Sequence, residues 1–427
     1  MSGKSDKKKP LVPRLRFPEF REAGAWEVKR LGDVAALKNG YAFKSSKYSD
    51  NGAYKVVTIA NVQAGHMSIE DMQRISPLPS DLQTHQKLSA GDILISMTGN
   101  VGRICYVLID DCLLNQRVGK LVPTKIDKEF FYHSIQNGNF QTAMQERAKG
   151  GAQGNLSAKD ILQHVIYYPN NKHEQQKIAH CLSSLDEVIG LQAKKVQALK
   201  QHKKGLMQQL FPAEGETTTP RLRFPEFREA GAWEVKRLGG ICNVLQGYGF
   251  PERLQGRQGG KYPFCKVSDI TSAVNENGGH VVTAANYADE DIVAELRAKP
   301  IPVGATIFAK IGEALRLNKR AIVDVECLVD NNVAGLKAKT SAAVDYFIFL
   351  LSQNVDLNKH CGGAVPSVNK STIEAIKVLA PEPPEQQKIA HCLSSLDEVI
   401  GLEAHKLDAL KNLKKGLMQQ LFPQDVA

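Results

Sequence analysis

From Ile178 the apolar positions advance in alternating steps of four and three residues: Ile178, Leu182, Leu185, Ile189, Val196, Leu199, Leu206 and Leu210, with Gln192 and Lys203 in the fifth and eighth places. The same ladder returns as Ile389, Leu393, Leu396, Ile400, Leu407, Leu410, Leu417 and Leu421, again with polar residues, Glu403 and Lys414, in those two places. Steps averaging 3.5 residues define a coiled-coil seam. Each segment is read as a helix of roughly 35 residues, about 50 Å long at 1.5 Å per residue. A long helix with one apolar stripe needs a partner, and the nearest one is its own repeat. Two equivalent units related by a pseudo-two-fold axis would set the helices antiparallel.

The seams belong to a wider duplication. PRLRFPEFREAGAWEVKRLG occurs twice without change, from Pro13 and from Pro220, and EQQKIAHCLSSLDEVIGL opens both long segments, from Glu174 and from Glu385. Between these fixed pieces the sequence diverges, yet landmarks keep their order. Gly40, Tyr41 and Phe43 answer to Gly247, Tyr248 and Phe250, and Asn61 to Asp269. GDILISMTG, ending at Gly99, answers to GATIFAKIG, ending at Gly312. Here period-two runs, such as YKVVTIANV, RICYVLI and HVIYYP, indicate strands, with stretches such as KEFFYHSIQNGNFQTAMQERA reading as helix. A constant scaffold around two divergent modules implies one task performed on two different targets.

Composition narrows the class. No run approaches the ~20 apolar residues of a membrane span, and the charged start MSGKSDKKKP reads as a solvated basic tail rather than a secretory signal, so a cytoplasmic protein is expected. The eight cysteines include no CxxC pair and read as buried thiols. A formal charge of +10 favours a polyanionic partner. Machinery for chemistry is missing: there is no GxxxxGK[ST] loop, no [DNS]PP[YFW] turn of an adenine methyltransferase, no nuclease PD…(D/E)xK pattern and no metal-ligand spacing of histidines.

WEVKRLG, GYAFKSS, GDIL, the EQxxI helix start and the DEVI stretch that follows it resemble the specificity subunits of type I restriction-modification systems, from about Pro13 to Pro423. GATIF in place of GDIL is where the second copy departs from that pattern. The resemblance implies an α+β fold: two target-recognition domains of mixed β/α structure separated by two long antiparallel coiled-coil helices, with a pseudo-two-fold internal repeat. The expected division is a basic tail and opening segment over 1–25, the first recognition domain over 26–172 and the first long helix over 173–212. A linker and second opening segment follow over 213–232, then the second domain over 233–383 and the second helix over 384–423. It further implies that each domain reads one half of an interrupted target in double-stranded DNA, and that the helical rod sets the spacing. Two modification (methyltransferase) subunits would dock on the repeated regions to methylate adenine, and restriction (translocase/nuclease) subunits would cleave unmodified DNA. This chain is then not an enzyme and binds no cofactor, because S-adenosylmethionine, ATP and Mg belong to its partners. The competing reading is a non-enzymatic coiled-coil scaffold with duplicated ligand-binding domains.

Grooves are read from exposed turns, and phosphates are held by Lys and Arg. The candidates for DNA contact in the first domain are therefore Lys38, Asn39, Tyr41, Lys44, Lys47, Asn61, Thr98, Asn100, Arg103, Gln116 and Arg117. In the second they are Gln246, Tyr248, Arg253, Arg257, Lys261, Lys266, Lys310, Arg316, Lys319 and Arg320. For the two tyrosines a place among core aromatics competes with that role. For a partner present twice, the repeated Phe17, Phe20 and Trp26 with Phe224, Phe227 and Trp233 are the candidates; packing of Trp26 and Trp233 on their own domains is the alternative.

Overall fold

The computed structural model describes residues 11–136, 138–149, 154–212, 217–340, 343–362 and 365–423. The basic tail and residues 213–216 of the linker lie outside them. The chain divides into two compact units, Met1–Leu191 with Leu407–Ala427, and Gln192–Lys406.

The heptad ladders become two helices of 39 residues, Lys172–Leu210 and Pro383–Leu421. The first starts behind Asn171, whose side-chain oxygen accepts from the His173 amide at 2.9 Å. The second starts on Pro383, which has no amide to satisfy at the first helical position. Phe-Pro, at 211–212 and 422–423, follows each end.

Within each unit the helix segments run antiparallel. In the first, Ile178 and Leu182 share a core with Leu421 and Phe422, and further along Asp186 receives the Lys414 ammonium at 2.6 Å. In the second, Leu210 and Phe211 share a core with Ile389 and Leu393, and Lys203 reaches Asp397 at 2.6 Å. Of the remaining apolar seam residues Val196 is buried, and Leu185, Ile189, Leu199, Leu206, Leu396, Ile400, Leu407, Leu410 and Leu417 are half-buried. Both polar places are thus used. Each seam lysine pairs with the aspartate one turn before the opposite ladder's fourth member, and Gln192 donates to the Glu403 carboxylate (2.6 Å) and carbonyl (2.9 Å). Desolvated polar partners at fixed heights leave only one register satisfied.

The first unit carries a four-stranded sheet in the order Ala35–Asn39, Val118–Pro123, Ile93–Ser96, Ile104–Tyr106, all antiparallel. A second sheet orders Gln73–Ile75, Tyr54–Val57, Cys112–Leu114, Lys87–Leu88, its central pair parallel. The second unit repeats the plan with Cys242–Gln246, Val333–Ala338, Thr306–Ala309, Ala321–Val323 and His280–Val281 in one sheet. Tyr287–Ala288, Tyr262–Cys265 and Leu328–Val329 form the other. In each unit the opening segment adds a two-stranded ribbon, Glu27–Arg30 with Val165–Tyr168 or Glu234–Arg237 with Lys377–Ala380.

Two local expectations change. YKVVTIANV is not one strand, because the Asn61 side-chain oxygen accepts the Thr58 amide and hydroxyl, both at 2.9 Å, and closes a turn after Val57. KEFFYHSIQNGNFQTAMQERA is two helices, Lys128–Ile135 and Gly138–Lys149.

The first helix of that pair places His133 beside the seam, 1% exposed, with Nε2 3.0 Å from Ser183 Oγ and Nδ1 4.0 Å from Asp186. Burial, aided by the Lys414 ammonium, pushes it down from 6.5 to about 4. The folded chain therefore binds fewer protons than the unfolded chain between those values, and stability falls as pH drops through that window. His133→Gln should flatten this part of the stability profile, read as urea midpoints from pH 7 to pH 4; an unchanged profile would contradict a neutral buried imidazole.

Candidate nucleic-acid interface

The matched Gly-Tyr landmark has a steric cause. A Cβ on Gly40 would lie 2.1 Å from the Asn115 carbonyl oxygen, and one on Gly247 would lie 1.8 Å from that of Asp330. Only glycine admits that approach. It lets Tyr41 bridge to Asn115 and Tyr248 to Asp330, linking the two sheets of each unit. Both tyrosines are half-buried against aromatic clusters, so the core role competing for them is filled. Their hydroxyls are also engaged: Tyr41 donates to Asp81 at 2.7 Å, and Tyr248 accepts from the Lys299 amide at 2.9 Å.

This junction gathers part of the expected contact set. In the first unit, the strand starting at Val118 lies between the strand ending at Asn39 and the strand ending at Ser96, all at one end of the sheet. The Met97 amide meets the Arg117 carbonyl at 3.0 Å, and that of Gln116 meets Tyr41 at 2.9 Å. Lys38, Asn39, Gln116 and Arg117 are exposed here, as is Asn100, with Thr98 half-buried beside them. Arg103 is steered by Gln63, at 2.7 Å. The equivalent sheet end of the second unit holds Gln246, which accepts from Lys310 at 2.6 Å, and Asn332, whose carbonyl accepts the Lys310 amide at 2.8 Å. Burial holds Lys310 below the ordinary lysine value. The two units thus present different side chains on the same platform.

Other expected contacts lie elsewhere. Lys44 and Lys47 are exposed in and beside the turn Ser45–Lys47, while Arg253, Arg257 and Lys261 are exposed along the stretch after Phe250. Lys266 reaches back to Gln255, with its ammonium 5.6 Å from the Phe250 ring. Exposed Arg316 pairs with Glu313 at 3.6 Å, and Lys319 is half-buried.

Four expectations are corrected by burial. Asn61 is 3% exposed and fully occupied by its turn, its amide donating to the Ser68 carbonyl at 3.2 Å. Arg320 is 5% exposed, 4.9 Å over the Phe308 ring, and donates to Asn318 and the Val355 carbonyl; burial pushes it down to about 10. Trp26 and Trp233 are 4% and 3% exposed and belong to their own units rather than to a partner surface. Phe17, Phe20, Phe224 and Phe227 stay half-buried, with the ammoniums of Lys177 and Lys388 over Phe17 and Phe224 at 5.6 and 5.7 Å.

What seats the tryptophans was missed in the sequence. Glu174, in the first turn of the first long helix, accepts from Arg16 Nε and Nη2 (2.7 and 2.8 Å) and from the Trp26 ring N–H (3.3 Å). Glu385 does the same for Arg223 (2.8 and 2.6 Å) and Trp233 (3.4 Å). The next residues complete the joint. Gln175 donates to the Pro169 carbonyl and accepts the Asp127 amide; Gln386 donates to Pro381 and accepts from Val344. The signal was the Glu-Gln pair repeated at the start of both helices, together with Arg and Trp in both opening segments.

Among the described residues, no group of three or more His, Cys, Asp or Glu could hold a metal ion, and no helix is long and apolar enough to cross a membrane. Glu174→Ala should cost about 3–5 kcal/mol by stranding the buried Arg16 guanidinium. Replacing both partners, Arg16→Met with Glu174→Leu, should cost less. Urea denaturation followed by circular dichroism tests the order, and equal losses would refute the stranded-charge account.

Comparison with known proteins agrees with this duplicated plan. The family model described as the type I restriction modification DNA specificity domain matches twice, over residues 24–201 and 231–412. The type I restriction enzyme MjaIX specificity subunit of Methanocaldococcus jannaschii is 24% identical over 413 residues, 93% of this chain and 92% of that protein. The EcoAI specificity subunit of Escherichia coli is 30% identical over 198 residues, 44% of this chain and 32% of its own. Among solved structures, the type I restriction-modification S subunit from M. genitalium aligns with a TM-score of 0.61 at 16% identity, covering 97% of this chain and 100% of that one. With its domain present in two copies on this fold, the chain belongs to the type I restriction-modification specificity subunits.

Proposed function

We propose that each unit reads one half of a bipartite, interrupted target in double-stranded DNA, and that the length of the paired helices sets the gap. The observation that carries this reading is the junction of the two sheets: matched sheet ends deliver Lys38, Asn39, Gln116 and Arg117 in one unit and Gln246, Lys310 and Asn332 in the other. Amides and cations on a sheet end, exposed in the first unit and half-buried in the second, can meet base edges and phosphates. A helix of 39 residues is about 58 Å long, more than one duplex turn of roughly 34 to 36 Å.

In this reading the chain performs no chemistry. Two modification subunits methylate adenine using S-adenosylmethionine, and restriction subunits use ATP and Mg to translocate and cleave unmodified DNA; the whole complex works in the cytoplasm. Docking of two identical modification subunits is supported by an apolar pair that recurs on the exposed side of the repeated helix sequence. Val188 and Leu191 are 47% and 59% exposed, and their equivalents Val399 and Leu402 are 42% and 71% exposed.

Methylation mapped across the genome of a host carrying the complete system should give one asymmetric, interrupted motif. Exchanging residues 33 to 172 for the domain of another specificity subunit should rewrite one half of it and spare the other; simultaneous loss of both halves would overturn the division of labour. Leu191→Asp with Leu402→Asp should abolish co-purification of the modification subunit and lower motif methylation at least ten-fold, while leaving the circular dichroism spectrum unchanged. Retained co-purification would place the docking surface elsewhere.

A further inference from the structure

The two units treat their candidate cations differently. Beyond Phe43 in the first unit, Lys44 and Lys47 are exposed and make no ion pair among the described residues. Beyond Phe250 in the second, Arg253, Arg257 and Lys261 are exposed too, but each is held by a carboxylate of one short helix, Glu290–Leu296. Arg253 pairs with Glu295, Arg257 with Asp291 at 2.9 Å and less closely with Asp289 at 3.4 Å, and Lys261 with Glu290. The helix is fixed in front of this stretch: Asp289, just before it, accepts the Lys261 backbone amide at 2.8 Å, and Tyr262 donates its hydroxyl to Glu290 at 3.0 Å. The charged donors hold Glu290, Asp291 and Glu295 below the ordinary carboxylate range, so they stay ionised at neutral pH.

Resting on the proposed DNA-reading function, we infer that Glu290, Asp291 and Glu295 are specificity-determining residues. They occupy, in place of DNA phosphates, the three cations that would otherwise hold any duplex without regard to sequence. Exposed ion pairs of this kind are weak and exchangeable, so the carboxylates compete with phosphate rather than block it. A phosphate must displace a carboxylate to reach Arg257. Correctly placed base contacts supply the free energy for that exchange, and random sequence does not. The first unit, with uncovered lysines, then carries the larger share of salt-sensitive backbone attraction, and the second carries more of the discrimination.

The test is binding of the full chain to a random-sequence duplex over a range of salt concentrations. Each phosphate neutralised adds about 0.9 to the slope of log affinity against log salt. Glu290→Gln, Asp291→Asn and Glu295→Gln together, with Asp289 left in place, should steepen the slope by about two to three. They should also tighten random-sequence binding on the order of ten-fold near 0.1 M salt, and lower the ratio of target to random binding in the assembled complex. Adding Arg257→Gln to the triple variant should remove about one unit of that slope, whereas Arg257→Gln alone should change it little. Should wild type bind duplex and the triple variant show the same slope, the carboxylates do not mask these cations and the inference falls while the DNA-reading function stands. If neither binds duplex at any salt, the functional reading itself fails and takes the inference with it.

Discussion

The fold depends on one buried carboxylate per unit. Glu174 and Glu385 sit where three pieces of chain meet: an opening segment, a ribbon of two strands and the first turn of a long helix. A desolvated carboxylate is tolerable only with its donors in place, and here the donors, an arginine fork and an indole N–H, come from about 150 residues earlier in the chain. In the folded chain the helix start and the opening segment hold each other in place. Once seated, its first two turns pack under the domain, and the adjacent glutamine ties two further backbone groups to the same point. The repetition of this joint explains why identity between the halves is confined to the opening segments and helices: those stretches build the joint, and the sheets between them are free to diverge.

Much of this was legible from periodicity and repetition. A seam with a step of 3.5 residues over this length has few interpretations, and matched glycines bracketing divergent strands identify positions where backbone crowding, rather than function, forbids change. Gly40 and Gly247 are of that kind. Burial was less legible. Nothing local distinguishes Arg103, half-buried beside Gln63, from Arg320, buried over Phe308; the difference arises from a helix and turn brought in from 345–360. Asn61 looked like a contact residue because asparagine favours turns, and it is the turn. The tryptophans looked like a partner surface because they recur, yet they recur for internal reasons. Ion pairing was also invisible: Arg253, Arg257 and Lys261 meet carboxylates 42, 34 and 29 positions further along the chain.

The seam shows how polar residues give specificity at a cost in stability. An all-apolar ladder would hold the helices as tightly in several registers. Lys203, Lys414 and the Gln192–Glu403 pair favour one, because a shift by a single heptad would oppose ammonium groups to leucines. Any function that depends on a fixed distance along the helices inherits its precision from these few contacts.

The seating of the tryptophans has a practical corollary. The chain contains two, one per unit, each edge-on to a phenylalanine of its domain and a phenylalanine from the end of a long helix: Phe130 and Phe422 around Trp26, Phe347 and Phe211 around Trp233. Each indole is therefore an intrinsic fluorophore whose emission colour reports whether that helix end is docked. Emission from the unaltered chain therefore follows the docking of both helix ends through assembly, ligand binding or unfolding, without attaching a dye.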